Sequence, residues 1–353
     1  MPSERKRILV AMSGGVDSSV TAHLLREQGY DCVGCIMQLL PAATPGGNVH
    51  EQAITDARQA AATVGIPFYV ADFRNEFQSQ VIEKFVECYA RGLTPNPCIF
   101  CNKFLKFAAL LQYARSLGCT HIATGHYARI TAEGSRFQLR RAVDSNKDQS
   151  YVLYNLTPDQ LAHTLLPLGE YTKEQVRELA KRYGLKNANK PDSQDICFVP
   201  DGDYAKVVEA GLGHPIATGF FVDGQGQKLG RHRGLIHYTV GQRRGLGLSL
   251  PQVHYVCRLD ATRNEVVLGP ASDLLRTEMT VTDCNWTAGH PPAEEMHLQV
   301  KIRYRAPEQA ATVLVLNDNR TLVTFVAPQR AITPGQSAVF YQDDTVVGGG
   351  IIA

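Results

Sequence analysis

The run Met12-Ser13-Gly14-Gly15-Val16-Asp17-Ser18-Ser19 constrains this chain more than any other. It follows Ile8-Leu9-Val10-Ala11, which reads as a short buried strand, and it leads into a helical pattern over 18–27 that stops at Gly29. Two adjacent glycines let the backbone approach an anion closely. The open N–H groups of a helix N-terminus and the hydroxyls of Ser13, Ser18 and Ser19 are then the groups that would meet phosphate. The Gly-Lys-Ser/Thr ending of a Walker loop is missing. A bare Gly-Gly pair would be only a turn that caps a helix; the serines and Asp17 around it argue for a phosphate loop.

The rest of the first 130 residues alternates strand and helix signals. Strands are expected at 32–39, 67–71 and 121–124, and helices at 51–64 and 76–89. Phe104, Phe107, Ala108, Leu111 and Ala114 mark the apolar face of another helix. Such alternation predicts a parallel sheet with helices on both faces. Residues 131–200 are mixed, with a small strand at 137–139 and a capped helix over 172–183 that carries Glu174 near its start. From about 215 the glycines and prolines become frequent, and short strands are expected at 219–222, 265–268, 279–282, 298–303, 312–315 and 322–325. That spacing predicts an all-β region ending in a small barrel.

Ligands of open parallel sheets sit beyond the carboxyl ends of the strands. Met37, at the end of the second strand, could face an adenine ring or simply pack in the core. Gly125 permits close approach of a ligand, and His126 beside it suits either a site or a turn.

Nine cysteines in a chain without an export signal point away from disulfide scaffolding. Cys32 and Cys35 lie on an apparent strand, so their side chains point to opposite faces and read as core. Cys88, Cys119, Cys257 and Cys284 read as buried or incidental. Thr94-Pro95-Asn96-Pro97-Cys98-Ile99-Phe100-Cys101 differs, because its prolines place Cys98 and Cys101 at a helix N-terminus. The helix dipole there favours thiolates. Cys197 ends the polar segment 191–196, as a packed or a working thiol.

The net charge of +2 gives no hint of a nucleic-acid partner. It conceals a basic strip over 225–263, where Lys228, Arg231, Arg233, Arg243, Arg244, Arg258 and Arg263 face one acid, Asp260. His232, His237, Tyr238, His254 and Tyr255 are interleaved with them, and rings of this kind can stack on unpaired bases. Without a partner such a strip is a solvated face. Lys301, Arg303 and Arg305 would share one face of a strand. No apolar run reaches the ~18 residues of a membrane span. The basic start, residues 1–7, has too little apolar sequence after it for a signal peptide, so a cytoplasmic protein without a membrane partner is expected.

The Ser-Gly-Gly-x-Asp-Ser loop resembles the PP-loop of ATP pyrophosphatases, which cleave ATP between its α and β phosphates. Further segments at 94–107, 123–128, 147–151, 192–198, 230–248, 302–305, 334–340 and 348–352 resemble, in the same order, the tRNA-specific 2-thiouridylase (MnmA-type) family. The resemblance implies an α/β PP-loop domain over 1–205, a smaller, mostly β tRNA-binding domain over 206–275, and a C-terminal β-barrel over 276–353. It implies ATP-dependent adenylation of the C2 oxygen of the wobble uridine at position 34 of a tRNA, followed by replacement with sulfur to give 2-thiouridine, AMP and pyrophosphate. By resemblance Ala11, Met12, Ser13, Gly14, Gly15, Val16, Asp17, Ser18, Met37 and Gly125 bind ATP, and Asp17 helps to organise Mg2+ and pyrophosphate. Cys101 matches the nucleophile and Cys197 the persulfide carrier. Asn96, Pro97 and the position of Cys98 match contacts to the target base. His126, Lys147, Asp148, Gln149, Arg303, Tyr304 and Gln336 match tRNA contacts.

One position departs from the family pattern, because Cys98 stands where an aspartate is usual. Cys98, Cys101 and Cys197 then resemble the Cys-x-x-Cys plus distant Cys set of related thiolases, which hold a 4Fe-4S cluster with three ligands. A cluster is therefore the expected cofactor, with a Cys101/Cys197 persulfide relay as the alternative. A structural zinc lacks a convincing fourth ligand. The implied partners are the anticodon arm of a tRNA and, as sulfur source, a cysteine desulfurase, a relay protein or free sulfide. Another PP-loop enzyme, such as an amide-forming synthetase, would leave the three cysteines unexplained. A non-catalytic tRNA-binding protein would leave the phosphate loop unexplained.

Overall fold

The computed structural model describes residues 6–42, 47–134, 136–185, 196–316 and 320–353. The first strand, β1 (Arg7–Ala11), runs into the glycine loop, and α1 (Val16–Glu27) begins directly behind it. Next come β2 (Asp31–Gln38), α2 (Gly47–Val64) and β3 (Phe68–Asp72). A helical stretch follows, α3 (Arg74–Phe77) and α4 (Glu83–Ala90), joined by a π turn over Gln78–Ile82. The cysteine-bearing helix is composite: α5 (Pro97–Phe100), a π-helical segment over Cys101–Ala109, and α6 (Leu110–Ser116).

With β4 (His121–Ala123) and, later, β7 (Thr164–Leu165), these strands form a fully parallel sheet of order β3-β2-β1-β4-β7. Its two faces are buried in separate cores. Leu9, Val33 and Cys35 belong to one, and Ile8, Val10, Cys32 and Ile36 to the other. The expected opposite facing of Cys32 and Cys35 is thus found. The sheet grows outwards from β1 in both directions, so its switch point lies between β1 and β4.

Between β4 and β7 the chain forms a hairpin, β5 (Arg129–Glu133) and β6 (Arg136–Arg140), and two short helices, α7 (Ser150–Leu153) and α8 (Pro158–Ala162). Helix α9 (Lys173–Arg182) starts at a capping box in which Thr172 and Gln175 satisfy each other's backbone N–H. Helix α10 (Tyr204–Leu212) leads to a four-stranded sheet of β8 (Gly219–Val222), β9 (Lys228–His232), β10 (Tyr255–Asp260) and β11 (Glu265–Gly269), in the order β10-β11-β8-β9.

The last six strands are β12 (Leu275–Trp286), β13 (Met296–Lys301), β14 (Gln309–Val315), β15 (Thr321–Arg330), β16 (Ser337–Gln342) and β17 (Thr345–Ile352). A β12–β17 pairing closes them into a barrel around Val281, Val300, Val313, Val323 and Phe340. Closure leaves this set of strands without open edges. Hairpin β5–β6 joins the outside of the same sheet through Thr345 and Arg140, and Tyr151 Oη donates to the Ser337 carbonyl at 2.8 Å. The barrel is therefore built onto the parallel-sheet domain.

Three local expectations are corrected. The π segment moves the apolar face of the cysteine helix, so Leu105 and Phe107 are fully buried while Phe104 and Ala108 are half-buried. The i→i+5 closure of a π turn shifts the phase that an α pattern assumes. Strand β13 ends at Lys301, so Arg303 and Arg305 lie in the following turn and do not alternate on a strand with it. His232 and Tyr238, offered as base-stacking rings, are core residues with 2% and 3% exposure, and they pack edge-on against Phe221. No described helix is long and apolar enough to cross a membrane.

Candidate active site

The glycine loop lies at the sheet's switch point. Gly14 has φ +72°, and a Cβ there would stand 2.6 Å from the Ala53 carbonyl oxygen of α2, so a side chain is excluded on two counts. Gly15 is the N-cap of α1. The loop is tied by its own hydroxyls: Ser13 N donates to Ser18 Oγ at 3.1 Å, and Ser19 Oγ donates to the Gly15 carbonyl at 3.0 Å. Val16 is buried at the first position of α1, and Met12 is buried beneath the loop. Ala11 closes β1. Met37, half-buried near the end of β2, packs against the main core.

Gly125 comes to the same point from the end of β4. A Cβ on it would lie 2.9 Å from Ser18 N and 3.1 Å from Asp17 Cβ. His126 follows, half-buried, with Nδ1 2.7 Å from Thr124 Oγ1. Burial first, and then the charge of Lys106, holds its imidazole well below the ordinary 6.5.

Two residues that the sequence reading did not single out meet Asp17. Lys173 Nζ lies 2.7 and 2.9 Å from its two carboxylate oxygens, and Tyr127 Oη donates to Oδ1 at 2.9 Å. The lysine side chain is 4% exposed and the aspartate 28%. A signal existed: Lys173 is the first residue of α9, where the positive end of a helix disfavours a cation. A cavity of about 360 Å³ lies beside the lysine, lined also by Asp144, Lys147, Glu174 and Arg177.

The cysteine loop is organised as its residue types demand. Asn96 is the N-cap and takes the Cys98 N–H on Oδ1 at 3.1 Å, and Pro97 occupies the first helical turn, where no N–H is needed. Cys98 is exposed and Cys101 buried. The expected stabilisation of thiolates by the helix dipole is overridden at Cys101, where burial pushes the thiol up despite Lys106. Cys197 is exposed as a residue, yet its thiol is pushed up to about 12 by burial, then by Cys101 and Cys98, with Lys106 opposing. The three thiols therefore lie within electrostatic reach of one another, and Lys106 within reach of Cys101 and Cys197. The polar segment 191–195 before Cys197 lies outside the described residues. Among the described residues, no three His, Cys, Asp or Glu side chains form a group that could hold a metal ion.

The remaining matched residues knit the loops around this centre. Asp148 accepts from the backbone of Ala142 and Ser150, and Gln149 Oε1 accepts from Tyr127 N at 2.9 Å. Lys147 is half-buried beside them. Tyr304 Oη donates to the Asp148 carbonyl at 3.3 Å, and Cys98 is among the groups whose charge reaches it. Arg303 turns inward, its Nη2 donating to the carbonyls of Val240 and Ala331 and to Thr333 Oγ1. Gln336 Nε2 donates to the Thr94 carbonyl at 2.7 Å, clasping the barrel to the cysteine loop.

A glycine loop at the switch point of a parallel sheet, continued by a closed barrel, defines the class: a PP-loop nucleotide-binding fold of the HUP type with a C-terminal β-barrel. Family models match in three consecutive pieces: the tRNA methyl transferase HUP domain over residues 6–201, the tRNA methyl transferase PRC-barrel domain over 212–270, and the aminomethyltransferase beta-barrel domain over 276–352. The tRNA-specific 2-thiouridylase MnmA of Acetivibrio thermocellus is 49% identical over 356 aligned positions, covering 99% of each chain. That of Carboxydothermus hydrogenoformans is 51% identical, covering 99% of this chain and 98% of its own. The chain belongs to the tRNA-specific 2-thiouridylase MnmA family. Among solved structures, a U34-tRNA thiolase NcsA from Methanococcus maripaludis with its 4Fe-4S cluster aligns at TM-score 0.36 and 16% identity, over 60% of this chain and 73% of its own. That overlap is too partial to bear on the site's chemistry.

Proposed function

We propose that this chain is an ATP-dependent tRNA-uridine 2-sulfurtransferase of the cytoplasm, acting on the wobble uridine of an anticodon arm. One connection carries the reading. Gly125 is packed onto the N-terminus of α1, His126 follows it, and Lys106 reaches His126, Cys101 and Cys197 alike. With the His126 ring 5.7 Å from that of Phe107 on the cysteine helix, this supports reading the phosphate loop and the thiols as parts of one site.

The chemistry needs both parts. The C2 carbonyl of uridine is a poor electrophile, so its oxygen must be made a leaving group. Attack of that oxygen on the α-phosphate of ATP releases pyrophosphate, and a sulfur nucleophile then displaces AMP, which carries the uridine oxygen away. The open N–H groups at the N-terminus of α1 hold the phosphates against this charge shift. Asp17, in the first turn of α1, would give magnesium a single carboxylate once its present partners let it go, which suits an ion that takes most of its remaining ligands from phosphate and water. Asn96, Pro97 and Tyr304 border the thiols and would receive a uridine turned out of its stack.

Thiolates are the usual ligands of a 4Fe-4S cluster, so Cys98, Cys101 and Cys197 would be the residues to hold one, although as placed they form no group that could bind a metal ion. When bound, it would offer a sulfur donor a coordination position that three protein ligands leave open. Without it, the same cysteines support a persulfide relay from Cys197 to Cys101. Anaerobically prepared protein, undermodified tRNA, ATP and a sulfur source test the reading: tRNA-dependent release of pyrophosphate with formation of 2-thiouridine is expected. Pyrophosphate release without thiolation would leave only the nucleotide half.

A further inference from the structure

The Lys173–Asp17 pair is costly where it stands. Both charges lose water, the lysine almost completely, and the ammonium is fixed at the positive end of α9. The segment holding it is nonetheless built with care: Thr172 and Gln175 cap the helix, and Asp144 Oδ2 accepts the Lys173 backbone N–H at 3.0 Å. The pair also consumes the carboxylate. Lys173 and Tyr127 take three of the roughly four acceptor positions on Asp17. A carboxylate so occupied has little left for Mg2+, yet Asp17 is in the first turn of α1, where a triphosphate would bring several negative charges. A flexible ammonium with three donors can be shared between a carboxylate and a phosphate.

We propose that Lys173 is a further triphosphate-binding residue, held on Asp17 until Mg2+-nucleotide enters the loop and then turned toward the phosphates. The proposal rests on the nucleotide site put forward above and adds to it the cation that neutralises the reacting phosphates.

Calorimetric titration of the full chain, without tRNA, tests it with three probes in Mg2+ buffer: adenosine, AMP and α,β-methylene-ATP. In Lys173→Met the affinity for the triphosphate analogue is expected to fall about 10- to 100-fold, the range of a hydrogen bond to a charged group, while adenosine binding stays within about twofold. Lys173→Arg should recover part of the loss. Should Lys173→Met misfold because Asp17 is left unpaired, the double variant Asp17→Asn/Lys173→Met removes both charges. Its preference for triphosphate over adenosine is expected to be smaller than that of Asp17→Asn alone. Equal losses for adenosine and triphosphate, or an unchanged preference in a folded variant, would overturn the proposal. A wild-type chain that binds none of the probes would instead overturn the nucleotide site itself.

Discussion

Gly125 stands so close to α1 that a Cβ on it would lie 2.9 Å from the backbone nitrogen of Ser18. The obstacle is main chain at a helix N-terminus, which cannot swing aside as a side chain could. Gly125→Ala is therefore expected to push β4 and the phosphate loop apart, lowering stability by about 1–3 kcal/mol. Nucleotide affinity should fall by more than the change in melting temperature implies, because the groups that move are those that bind. Calorimetric binding and thermal melting check this, and wild-type affinity with a lowered melting point would separate Gly125 from the nucleotide.

The cysteines are distinguished by metal analysis. If Cys98, Cys101 and Cys197 hold a cluster, anaerobically purified protein is expected to contain about four irons and to absorb broadly in the visible range. Cys98→Asp restores the usual family residue, and it is expected to lower iron occupancy. Full thiolation by iron-free protein with all three thiols intact would remove the cluster and leave the persulfide relay.

The clasp between Gln336 and Thr94 makes a different prediction from that of a bare tRNA contact. Its amide joins the barrel to the cysteine loop, and Thr94 N returns a bond to the Pro334 carbonyl. Gln336→Ala is expected to cost about 0.5–1.5 kcal/mol in urea denaturation. The KM for tRNA should rise as the loop loosens. An unchanged denaturation midpoint with lost tRNA binding would mean that the side chain serves the tRNA alone.

How much of this could be read from the sequence depended on distance along the chain. The phosphate loop and the Asn96–Pro97 cap are local devices, and Gly-Gly, serine and proline declare them within a few residues. Four of the six barrel strands were visible for the same reason, whereas β16 and β17 were not singled out. The partner of Asp17 was not, because Lys173 is 156 positions away and only the folded sheet joins them. Arg303 looked like one member of a basic stripe until β13 was seen to end before it. His232 and Tyr238 failed in another way: rings that suit a base suit a core equally well, and burial decided between the two. Most of the basic strip kept its exposure, since Lys228, Arg231, Arg233, Arg243, Arg244, Arg258 and Arg263 all remain at the surface.

Of these, Arg243 and Arg244 lie side by side in the exposed loop between β9 and β10. Replacing both by alanine is expected to weaken tRNA binding and to lower the slope of log affinity against log salt by about 1 to 2, the signature of one or two lost phosphate contacts. ATP binding should be spared. Filter binding across a salt series reads both quantities, and an unchanged slope would remove this pair from the interface.

His126 adds a pH dependence whose sign can be derived. Its imidazole is held below 6.5 in the folded chain, first by burial and then by Lys106, whereas the unfolded chain titrates near the ordinary value. Between the two values the unfolded chain binds more protons, so acid favours unfolding. The stabilising contribution is complete above 6.5 and is lost as the pH falls from there towards the lower folded value. The slope for this one group reaches at most about 1.4 kcal/mol per pH unit. His126→Gln keeps a side chain able to hydrogen-bond to Thr124 and cannot take up a proton. Urea midpoints measured from pH 7.5 to pH 5 are expected to decline less in the variant than in the wild type. Parallel curves would place the acid sensitivity elsewhere and would mean that burial does not keep this ring neutral.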